Sequence, residues 1–136
     1  YPDPAAERRL FDSGGVEVNA LELDTCLNRE QLLEIRAAAD AVHTSENLLD
    51  YLQRLVAYTR NTAEFAYGLS PRGALALLHC AKTCALMQGR QHVVPEDLQQ
   101  VLPAVASHRL VPTSDFAGDS HVLIRDTLAN VEVIAA

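Results

Sequence analysis

An arginine stands in the first turn of a predicted helix, where the local electrostatic field disfavours a cation. In the stretch GLSPRGALALL, residues 68–78, Ser70 is a typical N-cap residue and Pro71 suits the first helical position. Arg72 follows at the second helical position, where unpaired N–H groups and the helix dipole are already positive. A phosphate or carboxylate bound beside the guanidinium would relieve this conflict, because arginine forms forked hydrogen bonds with such anions.

Helix geometry leaves two interpretations of Arg72 open. At about 100° per residue the apolar residues of the helix fall on one arc, and Arg72 lies opposite its centre. That arc comprises Ala74, Leu77, Leu78, Ala81, Cys84 and Ala85. Arg72 is either a solvated side chain that tolerates a penalty of about 0.3–1 kcal/mol, or half of an anion site whose anion comes from elsewhere. A P-loop is excluded, because Ala74 and Leu75 stand where it needs lysine and serine or threonine.

A second group of residues with ligand chemistry, His79, Cys80 and Cys84, is predicted to be structural. Cys84 falls in the apolar arc and Cys80 at its edge, and free cysteine commonly packs as a small hydrophobic side chain. His79 points elsewhere, so no metal site is predicted. Glu96 and Asp97 are adjacent and fit the positive start of a helix better than a general acid–base pair. No catalytic residue is predicted in this chain.

The remaining arginines near predicted helix ends are interpreted as structural or solvated. Arg60 and Arg109 lie at predicted helix ends, where cations can bind free carbonyl groups. Arg90 is either solvated or in contact with another domain or subunit. Gly89, just before it, is predicted to end the helix of Arg72 in a left-handed conformation.

Short loops separate the helices that must position these residues. Predicted helices begin after Asp3, Asn28, Thr44 or Ser45, Ser70 and Val94, and a last one lies in HVLIRDTLANV. Residues 16–23, VEVNALEL, are predicted as a connector or a short extended segment, because no second strand is evident to pair with them. The predicted fold class is therefore all-α, a small bundle of five or six helices in one domain, residues 1–136.

The composition is that of a soluble protein without a basic surface. The chain has 136 residues, 49% of them hydrophobic, with 18 acidic and 11 basic side chains and a net charge of −7. No nucleic-acid partner is therefore expected, and no apolar run approaches the roughly 20 residues that span a membrane. Three cysteines without a disulfide spacing favour a reducing compartment, taken as the cytoplasm. The start at Tyr1 instead of methionine indicates a piece of a longer protein.

Residues 68–110 resemble the C-terminal helical lid of MoxR-family AAA+ ATPases. The resemblance rests on a G-x-S-P-R helix start, an alanine-rich run ending in Gly-Arg, a V-x-P-E-D helix start and a closing H-R-L, in that order. YPDPAAERRLF at the start of the chain and LLDYLQRLVAYTRNT, residues 48–62, extend the resemblance outward. It is far more specific than any one of these motifs and covers the whole chain.

This resemblance implies that Arg72 is the sensor 2 arginine, which reaches the phosphates of ATP held by a separate ATPase core, with Ser70 and Pro71 as its support. ATP and Mg²⁺ would be bound mainly by that core, since Walker A, Walker B, sensor 1 and the arginine finger are not among these residues. The parent protein is then expected to hydrolyse ATP as a ring, a homo-hexamer. It is expected to remodel or mature protein complexes, with von Willebrand factor A domain proteins as partners. The chain alone is expected to be inactive.

Two residues depart from the family pattern, and both departures weaken a helix start. Gly73 stands where small residues such as alanine are usual, at a cost of up to about 1 kcal/mol of helix propensity. Val94 stands where threonine is common, so the following helix lacks a side-chain N-cap. Neither departure affects the expected role of Arg72.

Two other classes of function stay open at this point. One is a stand-alone helical protein-interaction module without nucleotide, which a Walker A motif upstream of Tyr1 would exclude. The other is a helix-turn-helix DNA-binding protein, which the acidic composition disfavours and which a DNA-binding assay would test.

Overall fold

Helices dominate the computed structural model, which describes residues 1–12, 24–113 and 120–133; the predicted connector at 16–23 lies outside them. The elements are α1 (Pro4–Asp12), α2 (Arg29–Asp40), α3 (Glu46–Asn61), β1 (Phe65–Tyr67), α4 (Pro71–Met87), α5 (Pro95–Ala106), β2 (Val111–Pro112) and α6 (Ser120–Asn130). This order confirms the prediction of a helical bundle. None of the helices in the described ranges is long and apolar enough to cross a membrane.

The chain divides into two compact units, Tyr1–Leu32 and Leu33–Ala136. The first unit holds α1 and the start of α2, and both helices begin at the predicted caps. The Asp3 carboxylate accepts the N–H three residues further on at 2.8 Å. Asn28 and Gln31 form a capping box, in which each side chain accepts the other residue's N–H, at 2.8 and 2.9 Å.

The core of the second unit lies between α3, α4, α5 and α6. Its most deeply buried side chains, each at most 2% exposed, are Tyr51, Leu55, Leu69, Leu77, Leu98, Leu102 and Ile124. α4 packs mainly against α5, and Leu77, Ala81 and Ala85 of the predicted apolar arc are buried. The other members of the arc are half-buried. The arc is therefore confirmed, and it places Arg72 on the opposite side of α4.

A small antiparallel sheet joins the segment before α4 to the segment after α5. β1 pairs with β2 through Phe65 with Pro112 and Tyr67 with Val111, and Thr113 donates its N–H to the Glu64 carbonyl at 2.9 Å. This pair was not predicted from the sequence, because strands of three and two residues are too short to show an alternating pattern. The sheet fixes the path of the chain into α4.

An ion pair closes the turn between α4 and α5. Gly89 has φ of 73°, as predicted for the left-handed end of α4, and the chain then reaches Arg90. The Arg90 guanidinium donates to both carboxylate oxygens of Asp97, at 2.7 and 2.5 Å, and Asp97 is only 1% exposed. The interpretation of Arg90 as a solvated side chain is therefore wrong, because its fork pairs with a buried carboxylate of the same chain.

Asp97 also supplies the cap that Val94 cannot. Its Oδ2 accepts the Val94 N–H at 2.9 Å, so the start of α5 is held from inside the first turn. The hydrogen bond from Arg90 is the main reason that the pKa of Asp97 lies below its ordinary value, and the Val94 N–H adds to it against the cost of burial.

We expect Asp97→Asn to lower the melting temperature by about 5 °C near neutral pH, because it leaves the Arg90 guanidinium without its anion. Since folding lowers the pKa of Asp97, the stabilisation is complete above the ordinary aspartate pKa of about 3.9 and is lost as the pH falls through the lower folded value. Thermal unfolding of both proteins from pH 7 to pH 2 would measure this. The difference in melting temperature between the two proteins should disappear below about pH 4. A difference that stays constant with pH would contradict this role of the ion pair.

Candidate functional site

The start of α4 is built as its sequence predicts. Ser70 has extended backbone angles, and its Oγ accepts the Gly73 N–H at 3.1 Å. Its carbonyl accepts the Ala74 N–H at 2.9 Å, and Pro71 occupies the first helical position. Pro71 lacks an N–H, so a proline here leaves no unpaired donor. These bonds fix the backbone at the start of α4 and so fix the point from which the Arg72 side chain extends.

Arg72 is an exposed cation at this helix start. Its side chain forms no hydrogen bond or ion pair within the part of the chain that the structure describes. The first turns of α1, α2, α3 and α5 each contain an acid, whereas those of α4 and α6 contain none. α4 therefore begins with an uncompensated positive field, and the guanidinium adds to it. Such a corner can bind a phosphate or carboxylate, and one forked arginine fits that group.

Two consecutive residues at the end of α3 hold the backbone of Leu69, immediately before the Ser70 cap. The Thr59 hydroxyl accepts the Leu69 N–H at 3.0 Å and donates to the Val56 carbonyl at 2.8 Å. The Arg60 Nε donates to the Leu69 carbonyl at 2.9 Å. We call these bonds from Thr59 and Arg60 the Leu69 clamp. Arg60 therefore binds a backbone carbonyl, as its interpretation as a structural residue implies, but the carbonyl belongs to the loop before α4 and not to its own helix.

Two glycines let the loop approach its neighbours closely. A Cβ on Gly68 would lie 2.4 Å from the Thr59 carbonyl oxygen and 2.7 Å from the Arg60 Cα. A Cβ on Gly73 would lie 2.7 Å from Cδ1 of Leu69. Gly73 is buried, so the departure from the family pattern at this position has a packing reason: the absent side chain makes room for Leu69.

An apolar groove of about 650 Å³ runs between α3 and α4 and reaches the start of α4. Leu52, Val56 and Leu78 line it, and Arg60 and Pro71 lie at the end where Arg72 stands. The groove therefore places open apolar surface next to the exposed cation.

Cys84 is held within the chain by polar neighbours. Its thiol lies 3.5 Å from the Gln100 Oε1 and accepts a hydrogen bond from Gln88 Nε2 at 3.4 Å. Burial is the main cause that raises the pKa of the Cys84 thiol, which disfavours the thiolate that a metal would need. No group of three or more candidate metal ligands occurs among the residues that the structure describes.

A family model described as the AAA lid domain matches residues 57–127, from the second half of α3 into α6. This match contains the Leu69 clamp, the Ser70 cap and Arg72.

Curated relatives and a solved structure extend the similarity beyond that segment. The chaperone MoxR1 of Mycobacterium tuberculosis is 33% identical over 128 residues, which cover 88% of this chain and 33% of the relative. Protein MoxR of Paracoccus denitrificans is 44% identical over 43 residues, 32% of this chain and 13% of the relative. The crystal structure of a candidate ATPase from Cytophaga hutchinsonii superimposes with a TM-score of 0.77 at 25% identity, over 99% of this chain and 44% of that one. The chain thus spans about a third of the length of the Mycobacterium relative.

We expect Gly68→Ala to lower the free energy of unfolding by about 1–3 kcal/mol, because the new methyl group meets the backbone of α3 and not a flexible side chain. Gly89→Ala is the control: a Cβ there meets nothing within 4 Å, so only the positive φ is strained, at about 1–2 kcal/mol. Urea unfolding measures both. The rate of proteolytic cleavage in the loop before α4 should rise in Gly68→Ala but not in Gly89→Ala. An unchanged cleavage rate in Gly68→Ala would show that α3 does not confine this loop.

Substitution of Arg72 should stabilise the isolated chain. Arg72→Ala removes a cation from a positive helix start and is expected to raise the free energy of unfolding by about 0.3–1 kcal/mol, and Arg72→Glu by more, because it adds a favourable anion. Arg125→Ala, at an exposed position in the middle of α6, is the control and should change little. Urea unfolding at low salt measures these differences. A clear loss of stability in Arg72→Ala would mean that Arg72 has a structural partner.

Proposed function

This chain belongs to the AAA lid domain family, and from that premise we propose that it is the lid of a MoxR-like ATPase, with Arg72 as the contact to the phosphates of ATP bound by the preceding core. The observation that carries this proposal is an exposed arginine at the start of α4, with no partner among the described residues and with its own helix field against it.

The direction of Arg72 supports a contact with a separate domain. The buried side of α4 carries Gly73, Leu77 and Ala81, so the opposite side, where Arg72 lies, is open to whatever the lid closes upon. The apolar groove between α3 and α4 adjoins the same corner. We propose that this face of the lid meets the ATPase core, and that residues 1–136 act together as the lid.

The residues of this chain have a limited part in the reaction. ATP supplies the phosphoanhydride bond that is cleaved, and core residues would hold the Mg²⁺ and position water. Arg72 would hold a phosphate oxygen through its forked N–H groups and place positive charge where negative charge accumulates. Ser70 and Pro71 keep the helix start fixed, so that the guanidinium enters from a constant direction.

Coupling requires that Arg72 bind one nucleotide state better than the other. A ligand shifts a conformational equilibrium only by its differential affinity for the two states. The triphosphate offers an additional charged group to the Arg72 guanidinium, so it should favour the closed lid, and loss of that group should release it. We propose that this opening and closing drives a cytoplasmic homo-hexamer that remodels or matures protein complexes, with von Willebrand factor A domain proteins among its partners.

In the full-length protein, we expect Arg72→Ala to lower kcat/KM for ATP hydrolysis by about 10- to 100-fold, the effect of losing a hydrogen bond between charged groups. Arg72→Lys keeps the charge but not the fork and should lose less. Steady-state ATP turnover measures both, alongside ATP-dependent assembly measured by light scattering.

Two results would contradict the proposal. One is Arg72→Ala protein whose ATP turnover and ATP-dependent assembly both match the unaltered protein. The other is robust ATP turnover by residues 1–136 alone, since the proposed role leaves the cleavage to the core. As a control, Arg54→Ala should retain turnover, because Arg54 donates to the carbonyls of Glu132 and Val133, not to the loop before α4.

A further inference from the structure

Arg60 contacts the loop that leads into the helix of Arg72. Its Nε donates to the Leu69 carbonyl at 2.9 Å, while the neighbouring Thr59 binds the Leu69 N–H at 3.0 Å. Both backbone polar groups of Leu69, its N–H and its carbonyl, are thus bound by side chains of α3, whereas Arg72 lies on α4. The loop cannot rotate about this residue without breaking one of the two bonds.

The side chain of Leu69 also contacts Gly73, the residue that follows Arg72. Leu69 is 2% exposed, and its Cδ1 lies against Gly73, close enough that a Cβ there would be 2.7 Å away. Gly73 is also bound through its N–H to the Ser70 hydroxyl. Arg72 therefore stands between Pro71 and Gly73, in a short segment fixed on both sides.

Resting on the function proposed above, we infer that Arg60 is a positioning residue for Arg72: it holds the Leu69 carbonyl and so fixes the direction from which the Arg72 guanidinium approaches a phosphate. The Thr59 hydroxyl alone leaves that carbonyl unbound. Removal of Arg60 widens the range of directions open to Arg72 without removing its charge. A displacement of about 1 Å at a positioned group can lower a rate by about 100-fold.

The test is a double-mutant cycle in the full-length protein with Arg60→Ala, Arg72→Ala and both together. Arg60→Ala is expected to lower kcat for ATP by about tenfold. If Arg60 acts through Arg72, the double variant will turn over no more slowly than Arg72→Ala alone. If the two losses multiply, Arg60 acts independently of Arg72 and the positioning role is overturned.

Arg54→Ala is the matched control, because Arg54 lies on the same helix and, within the described residues, its guanidinium also donates only to backbone carbonyls. The melting temperatures of the Arg54→Ala and Arg60→Ala proteins should agree within a few degrees while their turnover differs. A fall in melting temperature with unchanged turnover per folded molecule would show that Arg60 is merely structural, and would overturn the inference.

Amide hydrogen exchange gives a readout that does not depend on ATP turnover. In Arg60→Ala, exchange at the Leu69 and Gly73 amides should quicken by about tenfold or more, and in Arg54→Ala it should not change. If Arg72→Ala leaves turnover intact, the proposed function of Arg72 is overturned whatever Arg60 does. If Arg72→Ala lowers turnover but Arg60→Ala changes neither turnover nor exchange, the positioning role alone is overturned.

Discussion

The Leu69 clamp is the interaction on which the site depends. Neither Ser70 nor Pro71 can direct an arginine unless the residue before them is fixed, and Thr59 and Arg60 bind both of its backbone polar groups. A buried backbone group without a partner costs about as much as a lost hydrogen bond, so these bonds also satisfy a requirement of folding. One set of contacts thus closes the core at this end and orients the helix start.

Electrostatics sets the start of α4 apart from the starts of α1, α2, α3 and α5. Acids in the first turns of α1, α2, α3 and α5 match the dipole, and at α5 the match includes a buried carboxylate held by Arg90. The positive charge of Arg72 is unfavourable at the positive N-terminal end of its own helix. The ion pair of Arg90 and Asp97 therefore stabilises the structure at the C-terminal end of α4, while the N-terminal end keeps an unfavourable positive charge that is exposed.

Local signals in the sequence predicted what depends on neighbouring residues along the chain. The cap at Ser70, the left-handed Gly89 and the buried arc of α4 follow from side-chain type and helical spacing. The Leu69 clamp could not be predicted in this way, because Arg60 and Leu69 are brought together by the path of the chain through β1. Arg90 and Asp97 are seven residues apart across a turn, where no helical period relates them.

The pairing of β1 with β2 makes the loop before α4 sensitive to distant parts of the chain. Glu64 and Phe65 are bound to Thr113 and Pro112, so the entry to Ser70 shares a boundary with the exit from α5. An insertion or deletion near residue 112 would change which residues of β2 pair with β1 and so disturb a helix start some 40 residues away in sequence. The length of the chain between α5 and β2 is thus constrained by the loop that precedes Ser70.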